Sequence, residues 1–161
     1  MSYSRSVVKS PSSAAEVLRQ LRRFLLLLSV LLFGGAIIEL WLVNHTDGWL
    51  QWIPFFLSAG GSVVSIIVLF RTQPITVAAL RVCMIVIMLG TLFGIYQHVA
   101  GNLRLEQEVN PGASTSRLIK RSLQGGNPLL APGILAVAAL VALCATYRFE
   151  ISGTSSGDIV S

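Results

Sequence analysis

From residue 48 to residue 70 the chain runs for 23 residues without a charged side chain. As a helix that run covers about 35 Å, enough to cross a hydrocarbon core about 30 Å thick. Barrel strands alternate polar and apolar residues over about ten positions, and this run is continuous, so a strand is the poor reading. A helix also satisfies its own backbone in lipid. Three further runs share the character: residues 24–43 hold one charge, Glu39; residues 75–99 hold one, Arg81; residues 129–147 hold none. Only 12% of the 161 residues are charged, against about 25% in soluble domains. A soluble enzyme, a disordered tail and a secreted disulfide scaffold are excluded. The expected fold is all-α: a polytopic membrane protein with four transmembrane helices in a bundle.

Three parts follow. Residues 1–23 form a basic N-terminal tail and pre-helix, residues 24–147 the four-helix domain, and residues 148–161 a flexible Ser/Gly-rich tail. The short connections set the orientation, because Lys and Arg collect on the cytoplasmic side. Arg5, Lys9, Arg19, Arg22, Arg23, Arg71 and Arg148 lie on one side, and Arg81 can snorkel toward it. The other side has Arg104, Arg117, Lys120 and Arg121. Both termini are therefore expected in the cytoplasm. The first run is too long for the core of a cleaved signal peptide and reads as a retained signal-anchor.

Pro74 can open the third helix, where a missing N–H costs nothing, and Asn127-Pro128 can cap and start the fourth. The connection over residues 100–128 is long for a structureless loop. Within it, residues 114–124 can form a short interfacial helix, with Leu118, Ile119 and Leu123 toward the bilayer and Arg117, Lys120 and Arg121 toward headgroups. Trp41, Trp49, Trp52 and Tyr96 cluster at the outer boundary as an aromatic belt.

Small residues mark faces where helix backbones can approach closely in lipid. They are Gly90 and Gly94 in the third run, Ser58, Gly61, Ser62 and Ser65 in the second, Ala138, Ala142 and Thr146 in the fourth, and Gly34, Gly35 and Ala36 in the first. Such rows serve packing within the chain or docking of another subunit. Glu39 lies about one turn below the outer boundary, and a carboxylate is costly inside lipid. His98 falls on the Gly90/Gly94 face. Each needs a partner, and a hydrogen bond between them is geometrically reasonable.

Little else offers chemistry. His45 and His98 belong to no zinc-ligand pattern, and His45 lies in a turn, which disfavours a bis-histidine haem. No cofactor is expected, although a chlorophyll-type magnesium or another metal at His98 stays open. Cys83 and Cys144 are single and read as packing residues. No Ser/His/Asp set, P-loop or dinucleotide fingerprint is present, so no catalytic residue is assigned and the chain reads as a non-enzyme.

At His98-Val-Ala-Gly101-Asn102, at Glu106-Gln-Glu108 with Pro111, and at Asn127-Pro-Leu-Leu-Ala-Pro132-Gly133, the chain resembles a group of uncharacterised small bacterial four-helix membrane proteins. Their pattern is H-x-x-G-N, then E-x-E, then P-x-L-A-P-G before the last helix. The resemblance covers roughly the C-terminal third and implies a fold and a bacterial inner membrane rather than a reaction. It makes Asn102, Glu106, Glu108 and Pro132, with His98, one outer-face element. Small multidrug transporters are a second comparison, having four helices and a Glu in the first, but their loops are minimal. The leading expectation is a non-catalytic accessory or assembly subunit of a larger inner-membrane complex, energy-transducing complexes included. A small cation- or proton-coupled transporter using Glu39 is the alternative, and a pigment- or metal-binding subunit through His98 the weaker one. The expected partners are the lipid bilayer and other membrane subunits or further copies of the chain, with no nucleic acid.

Overall fold

The computed structural model describes residues 11–123, 130–147 and 149. The expected tail before Pro11, the Asn127-Pro128 cap and the tail from residue 150 onward lie outside the described residues. Five helices follow in order: α1 (Pro11–Leu42), α2 (Trp49–Phe70), α3 (Pro74–Val109), α4 (Thr115–Leu123) and α5 (Leu130–Ala145). Among the described residues there is no strand. α1, α2 and α3 are long and apolar enough to cross a membrane, and α5 carries a shorter apolar stretch, Pro132–Ala145. The 16 residues of α5 extend about 24 Å, less than a hydrocarbon core.

α1 begins before the apolar run and carries Arg19, Arg22 and Arg23 on the same continuous helix. One boundary differs from expectation. α3 does not stop at residue 99. It continues to Val109, and its 36 residues extend about 54 Å, well beyond one bilayer core. Nothing between Gly101 and Val109 breaks a helix, and the Asn110-Pro111-Gly112 turn ends it. At its start Pro74 occupies the first turn, and the Gln73 N–H donates to Thr76 Oγ1 at 3.0 Å.

α1 and α3 lie on opposite sides of the cluster, each flanked by α2 and α5. The inward stripes recur at three- and four-residue steps. They are Leu26, Ser29, Phe33, Ala36 and Leu40 on α1, Ser58, Gly61, Ser65 and Val68 on α2, Val77, Leu80, Met84, Ile87 and Thr91 on α3, and Leu135, Ala138, Ala139 and Ala142 on α5. Small residues on α2 and α5 let larger ones from α1 and α3 close the gap, since lipid supplies no hydrophobic drive between helices. Gly61 is the tightest point. A Cβ placed there would lie 2.7 Å from Phe33 Cζ and 2.9 Å from Ile87 Cδ1. One turn away, the Ser29 hydroxyl donates to the Leu26 carbonyl at 2.8 Å and lies 3.3 Å from the Ser65 hydroxyl.

The Gly90/Gly94 row faces neighbours in the same chain. A Cβ at Gly90 would meet Leu57 Cδ1 of α2 at 2.5 Å, and one at Gly94 would lie 3.4 Å from Pro132 Cβ of α5. Ser58, Ala138 and Ala142 are fully buried, and Ser62 is half-buried. Gly34 and Gly35 behave differently: among the described residues, neither has a heavy atom beyond its own stretch of helix backbone within 4 Å of its Cβ position. The inward stripe of α1 runs through Phe33 and Ala36, so its glycine pair does not mark a close approach among the described residues. Cys83 packs against the core, whereas Cys144 is exposed, so only the first is a packing residue.

The C-terminal end of α5 is held by two arginines. Arg81 donates from its guanidinium to the Thr146 carbonyl at 2.8 Å and from Nε to Thr146 Oγ1 at 3.2 Å. Arg22 donates to the Tyr147 carbonyl at 2.9 Å, with its guanidinium 5.8 Å from the Phe149 ring centre. Carbonyls at a helix C-terminus lack intrahelical partners and carry partial negative charge, which is what a guanidinium neutralises.

Candidate functional site

At the opposite end of the helices Trp41, Trp49 and Tyr96 are all exposed. Here α1 closes in a turn set by Asn44, whose φ of 49° is left-handed. The Asn44 N–H donates to the Trp41 carbonyl at 3.1 Å and the His45 N–H to the Leu40 carbonyl at 3.0 Å. This bond pair is a Schellman motif, with Asn in the position where a left-handed residue is needed. It fixes His45 in place beside α3. The His45 and His98 rings lie within 8° of parallel, with centroids 6.4 Å apart. His98 Nδ1 is shut off from solvent and has no hydrogen-bond partner among the described residues.

Glu39 and His98 do not meet. No hydrogen bond or ion pair joins them among the described residues, and the expected pair is corrected to His45 beside His98. The reason is helical register. On α1 the buried positions nearest Glu39 are Ala36 and Leu40, and Glu39 falls about 100° round from Leu40, on the face with Gly35, Ile38 and Leu42. That whole face is exposed.

The outer-face residues separate into two places. Asn102 is buried and donates from Nδ2 to the Ser122 carbonyl at 2.9 Å. Glu106 lies 3.6 Å from the Arg121 guanidinium and accepts from Asn110 Nδ2 at 3.0 Å. These contacts fold α4 back along the extension of α3, residue 122 beside 102 and residue 121 beside 106. α4 is thus the second arm of a helical hairpin rather than a helix lying free. Its inward contact is Ser122, with Leu118 half-buried, while Ile119 and Leu123 stay exposed. Glu108 is exposed, and Pro132 packs near Gly94, below the hairpin. Ser114, Ser116, Arg117, Lys120 and Arg121 line an open cleft on the hairpin.

Among the described residues no three of His, Cys, Asp and Glu converge. Sequence reasoning missed His45 as the neighbour of His98. The signal was the Asn at a helix end followed directly by His. It also sent Arg81 toward headgroups, when its guanidinium closes α5. No protein-family model, curated protein or solved structure matches the chain.

Proposed function

We propose that the chain is a non-catalytic, four-span subunit of a larger assembly in a bacterial inner membrane, with both termini cytoplasmic and α5 as the short fourth span. The observation that carries this reading is the outward face of α1. It presents a carboxylate, Glu39, one turn above a glycine pair that no other described element approaches within 4 Å of either Cβ position. Side chains on a helix lean toward its N-terminus. With α1 running outward from the cytoplasm, Glu39 leans into the membrane over Gly35, away from the outer headgroups. A carboxylate left there against lipid is costly, by about 2.5–3.5 kcal/mol at a helix centre and less near its end.

A membrane helix of another subunit, carrying a cation or amide at that depth, satisfies the carboxylate and fills the notch at Gly34 and Gly35. A second copy docked by the same face about a twofold axis would set two Glu39 carboxylates together, which disfavours that occupant. A transport path through the helices is also disfavoured, because Glu39 lies outside the cluster.

Extraction in mild detergent followed by mass determination tests the reading. The native chain is expected to emerge in an assembly heavier than one copy with its detergent. Glu39→Lys places like charge against the partner's cation and is expected to release the chain as a monomer. Among the described residues Glu39 has no partner, so the chain's own unfolding midpoint should barely move. Recovery of the unmodified chain as a monomer, or full retention of the assembly by Glu39→Lys, would reject the docking face.

A further inference from the structure

We propose that the hairpin of α3 and α4 docks a segment of another protein that carries Asp or Glu among apolar side chains, outside the bilayer at the tryptophan end of the helices. This goes beyond the Glu39 docking face and does not depend on it. Arg117, Lys120 and Arg121 line an open cleft of about 560 Å³ together with Ser114 and Ser116. The two hydroxyls lie 3.4 Å apart. Glu106 lies 3.6 Å from the Arg121 guanidinium, which leaves Arg117 and Lys120 without an ion pair among the described residues. Guanidinium and ammonium groups only donate hydrogen bonds, and hydroxyls can donate as well, so the cleft suits carboxylate or phosphate oxygens.

Height decides between a lipid phosphate and a protein carboxylate. Tyr96 belongs to the aromatic belt that marks the edge of the hydrocarbon. From Tyr96 to Asn102 α3 rises about 9 Å, and still more than about 8 Å at a tilt of about 20°. The headgroup layer is only about 5–7.5 Å deep. The bond from Asn102 to the Ser122 carbonyl sets the lower end of α4 at that height. Arg121 reaches Glu106, one turn farther out on α3, so α4 runs antiparallel and its first residues stand farthest from the bilayer. Its side chains lean toward its N-terminus, away from the lipid. Phospholipid phosphates therefore lie below these cations rather than among them.

The hairpin also carries large apolar side chains where lipid tails do not reach them. Leu105 and Val109 on α3 and Ile119 on α4 are each more than half exposed. Single exposed apolar residues are ordinary, but several grouped on one short hairpin in water mark a protein contact. A free phosphate would leave them uncovered. A protein segment with carboxylates for Arg117 and Lys120 and apolar side chains beside them meets both features.

The test places a photoreactive residue at Ser116, exposed on the cleft, in the full chain in native membranes. Irradiation is expected to give a discrete protein adduct, and mass spectrometry of the crosslinked peptide should find Asp or Glu within a few residues of the crosslink. Reversing the charges with Arg117→Glu and Lys120→Glu should cut the adduct yield by roughly tenfold or more, because like charges set against each other in a contact are strongly unfavourable. Exchanging the cations with Arg117→Lys and Lys120→Arg should keep most of it. The composition of the crosslinked peptide decides the matter even if the charge-reversed chain fails to fold. Lipid adducts alone, no adduct, a crosslinked peptide without carboxylates, or a yield that a folded charge-reversed chain keeps would overturn the proposal.

Discussion

Leucine in place of Gly61 is expected to lower the stability of the chain by about 1–3 kcal/mol, the usual cost of overpacking a close-fitted core. A Cβ at that position would already lie 2.7 Å from the Phe33 ring and 2.9 Å from Ile87. Phe33 is fully buried and Ile87 nearly so, which leaves neither side chain a vacant space to enter. Three helices would have to separate to admit the new side chain. Gly60→Leu is the matched control, because among the described residues no other element comes within 4 Å of that glycine's Cβ position. Its effect should stay within about 0.5 kcal/mol, as for other surface substitutions. Unfolding in detergent followed by circular dichroism separates the two, and equal losses would refute the assigned packing of α1, α2 and α3.

Arg81→Met is expected to cost about 1.5–3 kcal/mol, the range for hydrogen bonds made by charged groups. Two donors from this guanidinium reach Thr146, one to its carbonyl and one to its hydroxyl. Methionine fills similar volume but leaves the end of α5 without either. Arg81→Lys should recover only part of the loss, since an ammonium keeps the charge without the planar fork. The same unfolding measurement reads both variants. Native stability in Arg81→Met would mean that the clamp on α5 contributes nothing.

Much of the helical framework was legible in the sequence because charge-free length is a one-dimensional property. The run over residues 48–70 became α2 almost unchanged, and Pro74 opened α3 where a proline costs nothing. Residues 114–124 were readable as a short helix for the same reason, and α4 occupies Thr115–Leu123. The inward face of α1 was not legible. Gly34, Gly35 and Ala36 look alike as small residues, and only register against α2 and α5 shows that Ala36 faces in while Gly35 faces out. That one ambiguity carried Glu39 to the wrong partner.

The extension of α3 had a local signal in Asn110-Pro111-Gly112, but an apolar count stops where the charges resume. Contacts between distant positions were out of reach. His45 meets His98 only because a left-handed turn at Asn44 returns the chain beside α3 at that height. Of the outer-face residues, Asn102 and Glu106 share the hairpin, whereas Pro132 belongs to the packing of α5 on α3. Their proximity in the sequence pattern did not imply one site.

The docking face on α1 is the central claim, and photo-crosslinking in native membranes tests it most directly. A photoreactive residue would replace Ile38, which is 62% exposed beside Glu39. A second would replace Leu92 on α3, 63% exposed and at matching depth, since Phe33 faces Ile87 across Gly61 and His45 faces His98. The account predicts a discrete protein adduct from position 38 and lipid adducts alone from position 92. Lipid adducts alone from both positions would contradict it, leaving Glu39 as a carboxylate at the edge of the bilayer with no protein against it.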